Sequence, residues 1–156
     1  MREEFSRAAL LLGEEALQRL GKAHVAVFGV GGVGSFCCEA LARAGIGSLS
    51  LFDSDTVARS NINRQIIALQ STVGRPKTEV MAERISDINP AAAVVSHPVF
   101  YTAENAEDFP LEGYDFIVDA IDTVSSKLIL IERAYAAGVP IVSSMGTGNK
   151  LDPSRF

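Results

Sequence analysis

Apolar residues recur along the chain in two rhythms, short continuous runs and helical stripes. Residues 6–20 carry Ala9, Leu10, Leu12, Ala16, Leu17 and Leu20 at helix-like spacing, interrupted once at Gly13. Residues 24–28, His-Val-Ala-Val-Phe, form an apolar run closed by glycine, the pattern of a buried strand. Residues 35–44 read as a helix with Gly45 as its stop signal, and 48–52 as a second strand. Pro76 suits the first turn of the next helix, whose apolar face is Val80, Met81, Ile85 and Ile88 and which ends at Asn89-Pro90. Further strands are expected at 93–99, 114–119 and 140–144, with a helix over 125–137 closed by Gly138.

Strands alternating with helices predict an α/β fold: a Rossmann-like, mostly parallel sheet with helices on both faces and strand order 3-2-1-4-5. The chain stops soon after the fifth expected strand, so the sheet is expected to be incomplete at its C-terminal end.

Composition narrows the class. The 156 residues, 47% of them apolar, are enough for one domain with a core of its own. No apolar run approaches the ~20 residues that cross a bilayer. The opening Met-Arg-Glu-Glu-Phe puts acids where a signal peptide is basic and then apolar, which predicts a cytoplasmic protein with no membrane partner. A formal net charge of -5 argues against a wholly basic nucleic-acid module while leaving room for a local basic patch. Cys37 and Cys38 are adjacent, without metal or redox spacing, and read as small apolar residues of a helix.

The chemistry gathers at three places. Residues 29–34, Gly-Val-Gly-Gly-Val-Gly, join the first strand to the first long helix. Gly29 allows a tight turn, Gly31 lets backbone approach phosphate and Gly34 lets helix and strand pack closely; Gly32 is counted with them among the nucleotide-binding residues. The helix N-terminus beyond offers free N–H groups to an anion. Asp53 ends the second strand, where a carboxylate can accept ribose hydroxyls. On these residues alone NAD is the favoured nucleotide, because dehydrogenases commonly carry the motif.

The second place shifts that balance. Asp55 is followed by Asn61, Arg64 and Gln65 in an Asn-Ile-Asn-Arg-Gln run, and then by Arg75-Pro76-Lys77. Arg64 can fork onto phosphate oxygens, Lys77 adds a point charge at a helix start, and Asn61 can donate to phosphate or orient the arginine. Each alone reads equally well as a solvated surface charge; together they favour a triphosphate. The third place is Asp119-Ala-Ile-Asp122, at the carboxyl end of the fourth strand. Both aspartates are expected to face the crevice, Asp122 being the first choice for a magnesium that bridges phosphates. Asp122 reads equally well as a helix N-cap before Thr-Val-Ser-Ser.

These motifs, in this order, resemble the ThiF/MoeB/HesA superfamily of adenylating enzymes, related to the ubiquitin-activating enzymes. Within it, residues 5–13, 61–66, 79–84 and 143–153 are similar to the tRNA threonylcarbamoyladenosine dehydratase branch. The resemblance implies ATP with magnesium, and adenylation of a carboxylate: cyclodehydration of N6-threonylcarbamoyladenosine in tRNA. It also implies that residues 29–34 are the phosphate loop and that Asp53 accepts the ribose. Asn61, Arg64, Gln65 and Lys77 become the triphosphate clamp, with Asp55 beside it, and Asp122 the magnesium and catalytic aspartate. Arg64 is counted with the catalytic residues. Arg7 matches an arginine that reaches the other subunit's ATP, which implies a homodimer.

Family members continue beyond Phe156, so residues 1–156 are expected to be a single adenylation domain at the N-terminal end of a longer protein. Two alternatives stay open: an adenylyltransferase that activates the C-terminal glycine of a sulfur-carrier protein, with a sulfur-acceptor or carrier as partner, and a nucleotide-binding or dimerisation module without turnover.

Overall fold

The computed structural model describes residues 3–146 together with 148, 151, 152 and 154. Two short helices open it, α1 over Ser6–Leu12 and α2 over Glu14–Leu20, parted at Gly13, whose φ of 82° lies in the left-handed region. There follow β1 (His24–Phe28), α3 (Gly34–Ala44), β2 (Ser48–Phe52), α4 (Lys77–Ile88), β3 (Ala93–His97), β4 (Phe116–Asp119), α5 (Val124–Ala137) and β5 (Ile141–Ser143). The strands form one sheet, parallel throughout, in the order β3-β2-β1-β4-β5. This is the predicted order.

Strand lengths differ modestly from expectation. The third strand ends at His97 because Pro98 has no N–H to give the ladder. The fourth begins at Phe116, after the Asp115 side chain has capped the edge of β1 by accepting the His24 N–H at 2.8 Å. Single turns of 3-10 helix at Glu3–Phe5, Arg59–Asn61 and Ala106–Asp108 carry no apolar periodicity and were not foreseen.

Helices cover both faces. On one, α3 and α4 bury Cys38, Ala42, Val80, Met81 and Ile85 against Val25, Val27, Leu49 and Leu51 of β1 and β2. On the other, Leu130 and Ala134 of α5, with Tyr101, Ala106 and Leu111, pack on Ala26, Phe28, Phe52 and Ile117. Period-two alternation divides each strand between the two cores. Fully burying one such Leu or Ile contributes about 1.5–3 kcal/mol, and each face holds many.

Register then positions the site. Phe28 of β1 is level with Phe52 of β2 and with Asp119 of β4, so three strands end together. Their exits are the glycine turn, the Asp53 loop and the turn into α5. Because β2 and β4 flank β1 on opposite sides, the chain diverges there and leaves a crevice.

Candidate functional site: a nucleotide cleft at the strand exits

A cleft of roughly 640 Å³ lies over these exits. Its walls include Gly29, Gly31, Gly32, Asp53, Asp55, Asn61, Arg64, Gln65, Lys77 and Asp122. Residues from Gly29 to Asp122 are thus brought to one cavity.

The glycines differ in what they do. Gly29 has φ of 91°, and a Cβ there would lie 2.5 Å from the Ala120 carbonyl oxygen. A Cβ on Gly34 would collide with the Gly29 carbonyl oxygen. These two are closed by packing. A Cβ on Gly31 would meet nothing nearer than Gln65 Nε2 at 3.7 Å, and one on Gly32 nothing nearer than Arg64 at 3.6 Å. Those two leave room for a ligand to touch backbone. Beyond them α3 begins at Gly34 with no side chain capping its first N–H groups, while Ser35 folds its hydroxyl back onto the Gly31 carbonyl oxygen at 2.5 Å.

Asp53 organises the opposite side. One carboxylate oxygen accepts the Val30 N–H at 2.7 Å and the other the Asp55 N–H at 2.8 Å. Lys77, 5% exposed, extends its ammonium to the Asp55 carboxylate at 2.7 Å and lies 3.9 Å from that of Asp53. Its charge therefore sits at the cleft wall between two acids. Asn61 is buried and its Oδ1 accepts the Ala58 N–H at 2.9 Å. Asn61 thereby shapes the loop that presents Arg64, whose guanidinium donates to the Ser60 carbonyl at 2.8 Å and to Asn63 at 3.1 Å. Gln65 is buried too, and its Oε1 has no hydrogen-bond partner among the described residues. An orphaned buried amide oxygen is costly, and this one belongs to a residue that lines the cleft.

Several expectations are corrected. Asp119 does not face the crevice. It is 0% exposed, and its carboxylate pairs with Lys127 at 2.8 Å, a partner the sequence reading did not name. A lysine in helical register with Leu130 and Ala134 was the available signal. Asp122 is exposed in the cleft wall, but it is not the helix N-cap: Thr123 holds that position, without a side-chain capping bond. Arg7 is exposed on α1 and is not among the described residues lining the cleft of its own chain. Of the basic residues near the cleft, Arg75 pairs with Glu83 and Lys77 with Asp55.

Other parts of the cleft went unread in the sequence. Phe28, Phe52, Val99, Phe100 and Ile121 give it an apolar flank, and Ser144, Met145 and Gly146 close it. Neither cysteine takes part. Both thiols are free, and burial pushes both pKa values up, so thiolate chemistry is disfavoured at each.

Glycine turn, parallel strand exits and strand-end acid together define a doubly wound nucleotide-binding domain of Rossmann type. The ThiF family model matches residues 5–155, and the chain belongs to the ThiF family. It is 49% identical over 156 residues to tRNA threonylcarbamoyladenosine dehydratase of Bacillus subtilis, covering 100% of this chain and 61% of that protein. The E. coli tRNA N6-threonylcarbamoyladenosine dehydratase crystallised in complex with ATP superposes with a TM-score of 0.94 at 46% identity, covering 98% of this chain and 63% of that one. A sulfur carrier protein adenylyltransferase of Thermus thermophilus is 36% identical over 131 residues, 84% of this chain and 48% of that protein. The chain thus spans about three-fifths of these two bacterial dehydratases.

Proposed function

We propose that the chain is the ATP-binding domain of an adenylating enzyme that activates the threonine carboxylate of N6-threonylcarbamoyladenosine in tRNA. The observation that carries the reading is the convergence of an open glycine turn, Lys77, Arg64 and Asp122 on one cleft. The higher identity to dehydratases than to the sulfur-carrier adenylyltransferase favours the tRNA substrate.

A carboxylate resists substitution because oxide is a poor leaving group. Attack of its oxygen on the α-phosphorus of ATP gives an acyl-adenylate and pyrophosphate. An internal nucleophile of the carbamoyl group then closes a ring on the acyl carbon and expels AMP, a net loss of one water from the substrate. The protein supplies position and charge. The Gly31 and Gly32 backbone and the start of α3 face the phosphates. Arg64 and Lys77 neutralise them, Lys77 turning from the Asp55 carboxylate toward the ligand. Asp53 accepts the ribose on lone pairs left free by Val30 and Asp55, and the Gln65 amide finds a partner. The apolar flank at Val99 and Phe100 stacks or shields the base.

Magnesium fits this set. The exposed Asp122 carboxylate in the cleft wall would hold the ion, with phosphate oxygens and water as its other ligands. Bound there, it would neutralise phosphate charge.

Residues 1–156 form a single domain within a longer protein, in keeping with the length of its relatives. That protein acts in the cytoplasm; no helix among the described residues is long and apolar enough to cross a membrane. It works as a homodimer, with Arg7 reaching the partner's ATP, consistent with its position outside its own cleft. The net charge of -5 and the paired Arg75 and Lys77 leave little to attract RNA here, so the tRNA surface lies chiefly outside this domain. ATP–pyrophosphate exchange by the full-length protein, driven by threonylcarbamoylated tRNA, tests the assignment.

A further inference from the structure

A buried ion pair lies behind the cleft without lining it. Lys127 is 6% exposed and Asp119 0%. The Lys127 ammonium has three N–H donors, and each has an acceptor: Asp119 Oδ2 at 2.8 Å, Ser143 Oγ at 3.1 Å and the Ser144 carbonyl oxygen at 2.9 Å. Asp119 Oδ2 also accepts the Ser143 hydroxyl, Asp119 Oδ1 accepts the Ile121 N–H at 3.1 Å, and the Asp119 carbonyl accepts the Ser144 N–H at 2.8 Å.

Every one of these bonds closes on one of two chain exits. The first is the β4–α5 turn, which carries Ala120, Ile121 and Asp122 into the cleft. The second is the exit of β5, which carries Ser144, Met145 and Gly146 into it. The two exits share one cleft wall, and Lys127 joins the direct Asp119 bonds in tying them.

A buried ion pair is weak evidence for stability, since apolar replacements of similar volume are often neutral or stabilising. Three directed donors from one ammonium fix geometry instead. The second exit opens residues 143–153, where the sequence is similar to the dehydratase branch; Thr147, Asn149, Lys150 and Pro153 of that stretch lie outside the described residues.

We propose that Lys127 is a positioning residue whose three hydrogen bonds lock the Asp122 turn to the β5 exit, so that both segments are ordered together. Its consequence for catalysis rests on the adenylation reading; the coupling itself does not.

The test uses the full-length protein and the double variant Lys127→Met with Asp119→Asn, which removes both charges at similar volume and leaves no buried ion alone. Amide hydrogen exchange is followed at residues 120–124 and 143–146, with β1 and β2 as internal reference. The expected result is a folded protein in which both segments exchange at least ~10-fold faster while the reference strands are unchanged. In pyrophosphate exchange, kcat falls at least ~10-fold and the KM for ATP moves less than ~3-fold, because positioning of Asp122 and not ATP contact is lost. A folded double variant with wild-type protection in either segment overturns the proposal. If the double variant does not fold, Ser143→Ala removes two bonds of the network, Lys127 to Ser143 and Ser143 to Asp119, while keeping the ion pair, and the same two segments are read: faster exchange in both supports the coupling, unchanged protection overturns it. If the wild type exchanges no pyrophosphate, the adenylation reading fails, and amide protection still decides the coupling.

Discussion

The carboxylate of Asp53 accepts the Val30 backbone N–H at 2.7 Å, so the acid at the end of β2 shapes the glycine turn after β1. Its second oxygen holds the Asp55 N–H at 2.8 Å. The residue that the motif assigns to the ribose is thus also a structural tie between two strand exits. Asp53→Asn would aim an amide N–H at one of two backbone N–H groups. The expected outcome is a loss of about 1–3 kcal/mol in stability together with weaker ATP binding, measured by urea unfolding and calorimetry. Weaker binding at wild-type stability would show that the tie is dispensable.

Glycine substitutions should separate fold from function within one loop. A Cβ at Gly34 collides with the Gly29 carbonyl oxygen, whereas one at Gly32 has its nearest neighbour at 3.6 Å. Gly34→Ala is expected to cost roughly 3 kcal/mol of stability. Gly32→Ala should unfold like the wild type but bind ATP at least ~10-fold more weakly, as expected where backbone touches phosphate. Equal thermal stability of the two variants would contradict this division.

That division was only partly legible in the sequence. The spacing of residues 29–34 marks a turn, but not which glycine faces protein and which faces ligand, because that depends on where Ala120 and Arg64 arrive from distant segments. The strand order followed from apolar runs and helix stops, which are local. Asp119 was misread for the opposite reason. Its sequence neighbours suggest a crevice acid, while its actual surroundings, Lys127, Ser143 and Ser144, come together only when β4, α5 and β5 are assembled. The apolar flank at Val99 and Phe100 carries no motif, since a base needs shape and surface rather than particular groups.

Arg7 is exposed on α1 and outside its own cleft, so its role must be tested across subunits. Arg7→Ala and Asp122→Ala full-length proteins should each be inactive, the first losing ~10³-fold or more if it acts as an arginine finger. Mixed after subunit exchange, they should regain activity through dimers holding one intact site. No recovery, with exchange verified by mass spectrometry, would place Arg7 outside the reaction.

His97 gives a pH signature. Its ring stacks on Phe52 at 4.3 Å and 9° between planes, and burial lowers its pKa from the ordinary 6.5. The unfolded chain therefore takes up the proton first as pH falls, and it binds more protons than the folded chain. Stability contributed by neutral His97 is intact above about pH 6.5 and is lost as pH falls toward the lower folded value. His97→Phe keeps an aromatic ring without the titration. Urea midpoints at about pH 7.5 and 5.5 should drop further in the wild type than in His97→Phe; equal drops would contradict the assignment.

In the proposed function, this cleft presents the α-phosphorus of ATP to the carboxylate of a modified tRNA. Pyrophosphate exchange by the full-length protein, with magnesium and either threonylcarbamoylated tRNA or a sulfur-carrier protein ending in glycine, measures it most directly. Exchange is expected with the tRNA, abolished by Asp122→Ala, and none with the carrier. Exchange with the carrier alone would move the protein to the sulfur-carrier adenylyltransferases, and ATP binding without exchange in either case would contradict an enzymatic role.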